Sequence, residues 1–403
     1  MIKILLGGSP CTHWSIAQKN NRETEPEGLG WELFKNYLIA KEKFKPNYFL
    51  YGNNKSAAQP IKDQIAKELG VDLMYINSAL VSAQNRQRFY AFNWEVDQPE
   101  DRGIVLRDIL ESGDAFNGMR EKGYALTASY WKGDAPDRIL EKHQRTMVAE
   151  EIKCLSEREM DYMVRDSKGK YSDRWAYLQK PGENDKALCL TANLHKGVPY
   201  NICADPIRIG DIGSTAQAHR VYSCEGKSVS LKAQAGGQGA KTGLYACPGT
   251  GFEENAYLVA NGLITIKDKQ YPIKLADGLY KIRKLTVKEC CRLQTLPDDY
   301  CKAVSNTQAY KGLGNGWTAE VIIHILNGVL KDVPKDEEIV ILSMYDGIGT
   351  GRYCLDKMGF TNVKYYSYEI DKYAKQVAKD NYPDIIHCGD AFDLRHPDWT
   401  IGY

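Results

Sequence analysis

Short apolar runs alternate with amphipathic segments at both ends of the chain. Residues 2–6 are apolar apart from Lys3, and a run of this length predicts a short buried strand rather than a helix. The pattern then predicts helices near 29–44 and 59–69, and further strands at 48–51, 72–76 and 88–94.

The same alternation returns after residue 283. Thr286 is the expected N-cap of an amphipathic helix, and Glu289 completes a capping box with it. Beyond a polar linker at 331–338, strands are predicted at 339–343, 364–369 and 385–388, and helices at 351–358 and 371–382. Strands that alternate with helices are typical of an α/β fold, so we predict a doubly wound, mainly parallel sheet.

The middle of the chain has a different pattern. Short β-prone runs are interrupted by Gly, Pro, Asp and Asn, and two segments, 126–129 and 190–193, echo one another. We therefore predict one half of an α/β domain at 1–95, a smaller irregular domain at 96–280, and the rest of the α/β domain at 281–403.

Composition narrows the class of protein without naming its partners. The 403 residues carry a formal net charge of +1, so any nucleic-acid surface requires local clustering of Lys and Arg. The eleven cysteines show no CxxC pairs, which favours reduced thiols in a cytoplasmic protein and no metal site. No apolar run is long enough to span a membrane.

The C-terminal segment has the features of a cofactor half-site. A glycine-rich turn at 347–351 follows one strand, Glu369 ends the next, and Asp390 follows the third. Backbone amides in such a turn can approach a ligand closely, and the two acids can accept hydrogen bonds from ribose hydroxyls and an adenine amino group. Spacing alone leaves both S-adenosylmethionine and a dinucleotide open.

Cys11 lies at the carboxyl end of the first predicted strand. A lone cysteine there is more often structural, but with its surroundings the sequence closely resembles the DNA cytosine-C5 methyltransferases. Residues 7–15 look like their nucleophile loop, and 84–88 match their Gln-x-Arg-x-Arg motif. The other matching segments are 283–300, 314–317, 343–351, 366–371 and 389–390, and the middle of the chain matches only as a variable target-recognition insert.

The order of these motifs is rotated. The family's cofactor motifs usually precede the nucleophile, whereas here the nucleophile comes first and the cofactor motifs last. Joining Tyr403 to Met1 would restore the usual order, so the resemblance implies a circularly permuted chain whose termini lie close together. Permutation at a surface connection leaves the sheet and the core unchanged.

The resemblance implies a catalytic set. The thiolate of Cys11 would attack C6 of a cytosine flipped out of double-stranded DNA. Arg88 would bind the cytosine O2, Arg86 would hold the nucleophile loop, and Asn53 follows the position of the family's catalytic acid. Surface positions are the competing interpretation for the two arginines.

The resemblance also implies S-adenosylmethionine as cofactor, in a methyltransferase-type α/β fold. Tyr345 would pack on the adenine, Glu369 would bind the ribose and Asp390 the adenine N6. The other implied contacts are Asp346, Gly347, Gly349, Ile370, Ala391, Asn315 and Trp317, and a core position is the competing interpretation for Trp317.

Position 52 departs from the family. A glutamate normally stands there and holds N3 and N4 of the cytosine, but this chain has Gly52, and the nearest acids are Glu42 and Asp63. An inactivating change, a naturally disabled copy and a site adapted to another base or donor are the three interpretations. If the acid is simply missing, Gly52→Glu should restore it to a pocket shaped for it.

The sequence is compatible with three functions: a DNA cytosine methyltransferase, a protein that flips and holds a base with little turnover, and the family's RNA-directed relative. For the first we expect a monomer in a bacterial or virus-infected cytoplasm, acting on DNA without metal or membrane. Restriction protection, phage DNA modification and regulation are all compatible roles. Candidate DNA contacts in the insert are Arg208, Arg220, Lys232, Gln238 and Lys241.

Overall fold

The computed structural model describes residues 1–10, 13–15, 22–116, 120–132, 135–142, 145–151, 208–211, 220–223, 244–246, 256–266 and 269–401. Cys11, the echoed segment 190–193, the Gly-rich run 235–243 and Tyr403 lie outside these residues, as do Lys232, Gln238 and Lys241. Arg208 and Arg220 are described as backbone only.

The described α-helices are, in chain order, α1 Gly28–Phe44, α2 Gln59–Leu69, α3 Pro136–Lys142, α4 Val287–Leu293, α5 Asn306–Asn315, α6 Ala319–Leu330, α7 Thr350–Lys357 and α8 Lys372–Asn381. The described strands are β1 Ile2–Gly7, β2 Tyr48–Asn54, β3 Leu73–Asn77, β4 Gln84–Asn85, β5 Gln87–Phe92, β6 Asp114–Phe116, β7 Gly123–Tyr124, β8 Met147–Glu151, β9 Arg208–Asp211, β10 Arg220–Ser223, β11 Leu244–Ala246, β12 Ala256–Ala260, β13 Leu263–Ile266, β14 Lys269–Pro272, β15 Gly278–Lys284, β16 Ile339–Met344, β17 Val363–Tyr368 and β18 Ile386–Gly389.

A seven-stranded sheet organises the first compact unit, which comprises Met1–Met147 and Lys284–Tyr403. Its strand order is β18-β17-β16-β1-β2-β5-β3. The strands from β18 to β2 are parallel, whereas β5 runs antiparallel to both β2 and β3. The prediction of a mixed, mainly parallel sheet with helices is therefore confirmed.

Both faces of this sheet are covered, which explains the uniformly apolar strands. All six residues of β16 are buried, as expected for a central parallel strand. On one face, Phe34 of α1 and Ile61 of α2 share a core with Leu342. On the other face, Gly351 of α7 lies so close to Leu6 and Tyr365 that a side chain there would overlap them.

The sequence located these elements within a few residues. The predicted N-cap is confirmed: Thr286 Oγ1 accepts from the Glu289 amide at 3.2 Å, and the Glu289 carboxylate accepts from the Thr286 amide at 2.7 Å. This reciprocal pair satisfies two backbone donors at the start of α4.

The second compact unit comprises Val148–Arg283. Within it β13 pairs antiparallel with β12 and β14, and β12 pairs antiparallel with β15. The units divide at residues 147 and 283, whereas the sequence places an irregular domain at 96–280, and those domain bounds stay a prediction.

Among the described residues, none of the helices combines the length and the apolar composition that a membrane span requires. In the same part of the chain, no group of three His, Cys, Asp or Glu side chains could hold a metal ion.

Candidate active site

A cavity of about 440 Å³ lies in the first unit, where several parallel strands end. Ligands of open α/β sheets bind outside the carboxyl ends of the strands, so this is the expected edge. The cavity collects distant segments of the sequence in one place. The predicted site residues that line it are Gly52, Asn53, Arg88, Asn315, Trp317, Tyr345, Asp346, Gly347, Glu369, Ile370, Asp390 and Ala391.

The loop that leads to Cys11 is held by a buried polar network. Residues 8–10 line the cavity, and Asn53 is only 4% exposed. Asn53 Nδ2 donates to the Ser9 carbonyl and to Tyr51 Oη, both at 3.0 Å, and Ser9 Oγ lies 2.7 Å from Tyr51 Oη. A satisfied buried network of this kind fixes the backbone entering the loop.

The two arginines of the predicted motif have different environments. Arg86 is 2% exposed and donates to the carbonyls of Leu126 at 2.8 Å, Gly314 at 3.0 Å and Gly316 at 2.8 Å. It therefore holds the turn that precedes Trp317 and is not a surface residue. Arg88 lines the cavity, and its Nη1 donates to Asn54 Oδ1 at 3.3 Å.

Gly52 lines the cavity, and an aromatic ring lies close to it. Tyr90 lies directly opposite Gly52 on β5, and a Cβ at position 52 would lie 2.9 Å from its ring. Carbon atoms pack best at about 3.5–4.0 Å, so the ring must shift by roughly 0.6–1 Å to admit a side chain. A glutamate therefore fits at position 52 only if the Tyr90 ring moves, whereas the sequence led us to expect a pocket already shaped for it.

The turn after β16 has a backbone conformation suited to close approach. Tyr345, Gly347 and Gly349 all have positive φ, of 59°, 65° and 79°. Such a conformation is uncommon for tyrosine and marks a constrained site. Tyr345 Oη donates to the Leu33 carbonyl at 2.8 Å, which fixes the ring against α1.

Asp346 is held by hydroxyl groups. Ser343 Oγ and Tyr365 Oη donate to its Oδ1, both at 2.6 Å, and Ser367 Oγ donates to Oδ2 at 3.1 Å. Burial raises the pKa of Asp346 to about 6, against the lowering effect of these hydrogen bonds, and the nearby Glu369 charge adds to the rise.

This shift makes a stability prediction. The pKa of Asp346 is higher in the folded chain than in the unfolded chain, so ionisation destabilises the fold as pH rises from about 4 to about 6, and the cost persists above that. We expect Asp346→Asn to raise the Tm by more at pH 8 than at pH 4.5. At pH 8 the free energy of unfolding should increase by up to about 3 kcal/mol. Thermal unfolding of the parent and the variant at both pH values measures the change in Tm. An equal change at pH 4.5 and pH 8 would contradict the prediction.

The other two acids sit as the sequence predicted, at the ends of successive strands. Glu369 Oε2 accepts from the Gly347 amide at 2.9 Å, and its Oε1 accepts from the Asp371 amide at 2.7 Å. Asp390 Oδ1 accepts from the Phe392 amide at 3.0 Å. Ile370 between them is 70% exposed, which leaves an apolar surface at the cavity mouth.

The sequence pattern of the C-5 cytosine-specific DNA methylases matches residues 1–331. The chain belongs to this family.

Individual relatives agree with this membership. The orphan methyltransferase M.Rho11sI of Bacillus phage rho11s is 26% identical over 60% of this chain and 47% of its own length. The type II methyltransferase M.HhaI of Haemophilus parahaemolyticus is 34% identical over 30% of this chain and 27% of its own length. The chain spans less than half the length of these two relatives. The orphan methyltransferase M.SPRI of Bacillus phage SPR is 21% identical over 81% of this chain and 82% of its own length.

The methyl donor of C-5 cytosine-specific DNA methylases is S-adenosylmethionine, and the cavity has unused polar atoms to receive such a ligand. Thr350 is 3% exposed, and its Oγ1 has no hydrogen-bond partner among the described residues. Gln308 Oε1 likewise has no hydrogen-bond partner among the described residues, and both Thr350 and Gln308 line the cavity. Buried polar atoms are normally satisfied, so these two fit a polar ligand. The glycine-rich turn could have drawn attention to Thr350, whereas no sequence signal marks Gln308.

Proposed function

We propose that this chain is a DNA cytosine-C5 methyltransferase that uses Cys11 as nucleophile and S-adenosylmethionine as donor. The observation that carries the proposal is the single cavity that joins the nucleophile loop to the glycine-rich turn. Residues 8–10, Arg88 and Trp317 bound one part of it, while Tyr345 and Glu369 bound another. A base and a donor bound there would be neighbours, as methyl transfer requires.

The base must leave the double helix to enter this cavity, because stacking hides both faces of the ring. Arg88 is the cation on the nucleophile side of the cavity, and its guanidinium has more donors than its bonds to Asn54 and to the Gln87 carbonyl use. It is therefore the residue we assign to the cytosine O2. Arg86 acts as a positioning residue, since its bonds hold the turn beside Trp317.

The proposed chemistry balances as a substitution at C5. The Cys11 thiolate adds to C6, and the electron pair of the C5–C6 bond becomes available at C5. Tyr345 and Glu369 would hold the donor, whose contribution would be a methyl group for C5, with a neutral thioether as the leaving group. Removal of the C5 proton by a base then re-forms the double bond and expels the Cys11 thiolate.

The rotated order of the motifs is part of this proposal. β1, which precedes Cys11, pairs in parallel with β16, which precedes the glycine-rich turn. The two ends of the sequence therefore contribute adjacent central strands, and this supports a chain opened between the cofactor half and the nucleophile half.

The cofactor assignment predicts a loss of affinity when its acids are removed. Glu369→Ala and Asp390→Ala should each weaken S-adenosylhomocysteine binding by about 1.5–3 kcal/mol, because each loses a hydrogen bond to a charged group. Calorimetry measures the effect, and Asp398→Ala, which changes an exposed acid outside the cavity, is the matched control. Unchanged affinity in both variants would refute the assignment.

A second candidate follows from Gly52: a protein that flips and holds cytosine with little turnover. Labelled donor with matched DNA and RNA duplexes separates the candidates. We expect label in 5-methylcytosine of DNA. DNA binding without transfer would favour the second candidate, and transfer to RNA alone would favour the RNA-directed relative. The names of the phage and type II relatives fit modification of phage or host DNA.

A further inference from the structure

The described residues place no cation against the Asp346 carboxylate. Among the described residues its carboxylate accepts from the hydroxyl groups of Ser343, Tyr365 and Ser367, and none of the ion pairs there includes it. Burying a charge without an opposite charge is costly, and the raised pKa of Asp346 expresses that cost. An unfavourable group that is kept at the edge of a binding cavity is a candidate for a functional role.

The charges around the cavity are unevenly distributed. Its lining contains four acids, Asp346, Glu369, Asp371 and Asp390, against the two cations Arg88 and Lys311. Lys311 is paired with Asp371 at 2.6 Å. The glycine-rich end of the cavity is therefore electronegative, and Asp346 contributes to this through a fixed, poorly solvated charge.

We propose that Asp346 makes this cavity prefer the positively charged donor S-adenosylmethionine to its neutral product S-adenosylhomocysteine. This inference rests on the proposed function. The two molecules share the adenosine, the carboxylate and the amino group, and they differ in a methyl group and in the positive charge on sulfur. A fixed negative charge near the site attracts the positively charged sulfur of S-adenosylmethionine. It does not attract the neutral sulfur of S-adenosylhomocysteine in this way. Loss of that attraction after transfer favours exchange of spent cofactor for fresh donor.

Asp346→Asn is the direct test, because an amide keeps the shape: its oxygen can accept from Ser343 and Tyr365, and its nitrogen can donate to the Ser367 hydroxyl. Calorimetry on the full chain measures the affinity for three ligands: S-adenosylmethionine, S-adenosylhomocysteine and sinefungin. Sinefungin is an analogue with an amine in place of the methylated sulfur. We expect the preference for the two cationic ligands over S-adenosylhomocysteine to fall roughly tenfold. Ser343→Ala removes one hydroxyl and keeps the charge, so it should retain the parent's preference.

Equal weakening of all three ligands by Asp346→Asn would overturn the inference, because Asp346 would then act on the shared amino group or on the fold. Failure of the parent to bind any of the three would instead refute the proposed cofactor. Binding of all three with an unchanged preference in the variant would refute this inference alone.

A second measurement avoids reliance on one variant. The ionisable groups around Asp346 are Glu369, Tyr365 and Tyr300, and burial raises the pKa of both tyrosines well above 10. Between pH 5 and pH 7 the parent's preference for S-adenosylmethionine should rise as Asp346 ionises. The Asp346→Asn variant keeps Glu369 and should show a flat preference over the same range. A similar rise in both proteins would mean that a group other than Asp346 causes the pH dependence of the preference, and this would overturn the inference.

Discussion

Replacing Gly52 by Glu is expected to raise the single-turnover rate of methyl transfer to DNA by about 10²-fold or more. The new carboxylate would bind N3 and N4 of the flipped cytosine and stabilise proton character at N3 while Cys11 attacks C6. Asn53 is fixed by its bonds to Ser9 and Tyr51, so the backbone next to the new side chain is already held. Cofactor affinity should change much less than the rate.

The Tyr90 ring opposes this gain. It is 1% exposed and would touch a Cβ at position 52, so any side chain there costs some stability. Gly52→Ala has the same steric conflict without a functional group, and Gly52→Gln has nearly the shape of the glutamate without its acid. We expect all three variants to lower the Tm, but only Gly52→Glu to accelerate transfer.

The three interpretations of Gly52 separate on these variants. A rate no faster than the parent's in Gly52→Glu, with the chain still folded, would contradict the missing-acid account. A site adapted to a bulkier base or donor predicts slower transfer in all three variants, since each fills space that the substrate needs.

Cys11→Ala is expected to reduce methyl transfer by about 10⁴-fold or more, because removal of a covalent nucleophile eliminates the reaction path rather than slowing one step. Affinity for S-adenosylhomocysteine should stay close to the parent's. Cys388→Ala is the matched control, since it removes a half-buried thiol that does not line the cavity. Rapid transfer by Cys11→Ala would exclude Cys11 as the nucleophile.

Much of the fold could be predicted because its signals are local. A short apolar run such as β16, which is buried along its whole length, is typical of a parallel sheet covered by helices. The Thr286 capping box lies within four residues of sequence and needs no tertiary information. These features set the positions of the elements, and the strand order then follows from their pairing.

The site could be predicted where a motif follows a strand end. Glu369 and Asp390 line the cavity because parallel strands bring their carboxyl ends to one edge. The contact between Gly52 and Tyr90 could not be foreseen, since it depends on the register of β2 against β5. The hydrogen bonds that Asp346 accepts from Tyr365 and Ser367 could not be foreseen either, because these residues lie on a neighbouring strand.

The packing of the first part of the predicted insert could not be predicted from the sequence. Residues 126–128 belong to the first unit, where Arg86 donates to the Leu126 carbonyl and Gly314 packs on the backbone of Thr127 and Ala128. This segment lacks a clear hydrophobic period, so the pattern marks it as irregular without showing what it packs against.

Trapping the covalent intermediate tests the central claim most directly. DNA with 5-fluorocytosine should become attached to the chain in the presence of donor, because fluorine at C5 blocks the final elimination. The measurement is peptide mass spectrometry of the adduct, in both the parent and Gly52→Glu, since a slow parent gives a weak signal. The proposed function predicts a thioether on the peptide that contains Cys11, and none in Cys11→Ala. An adduct that persists in Cys11→Ala, or that maps to another residue, would contradict it.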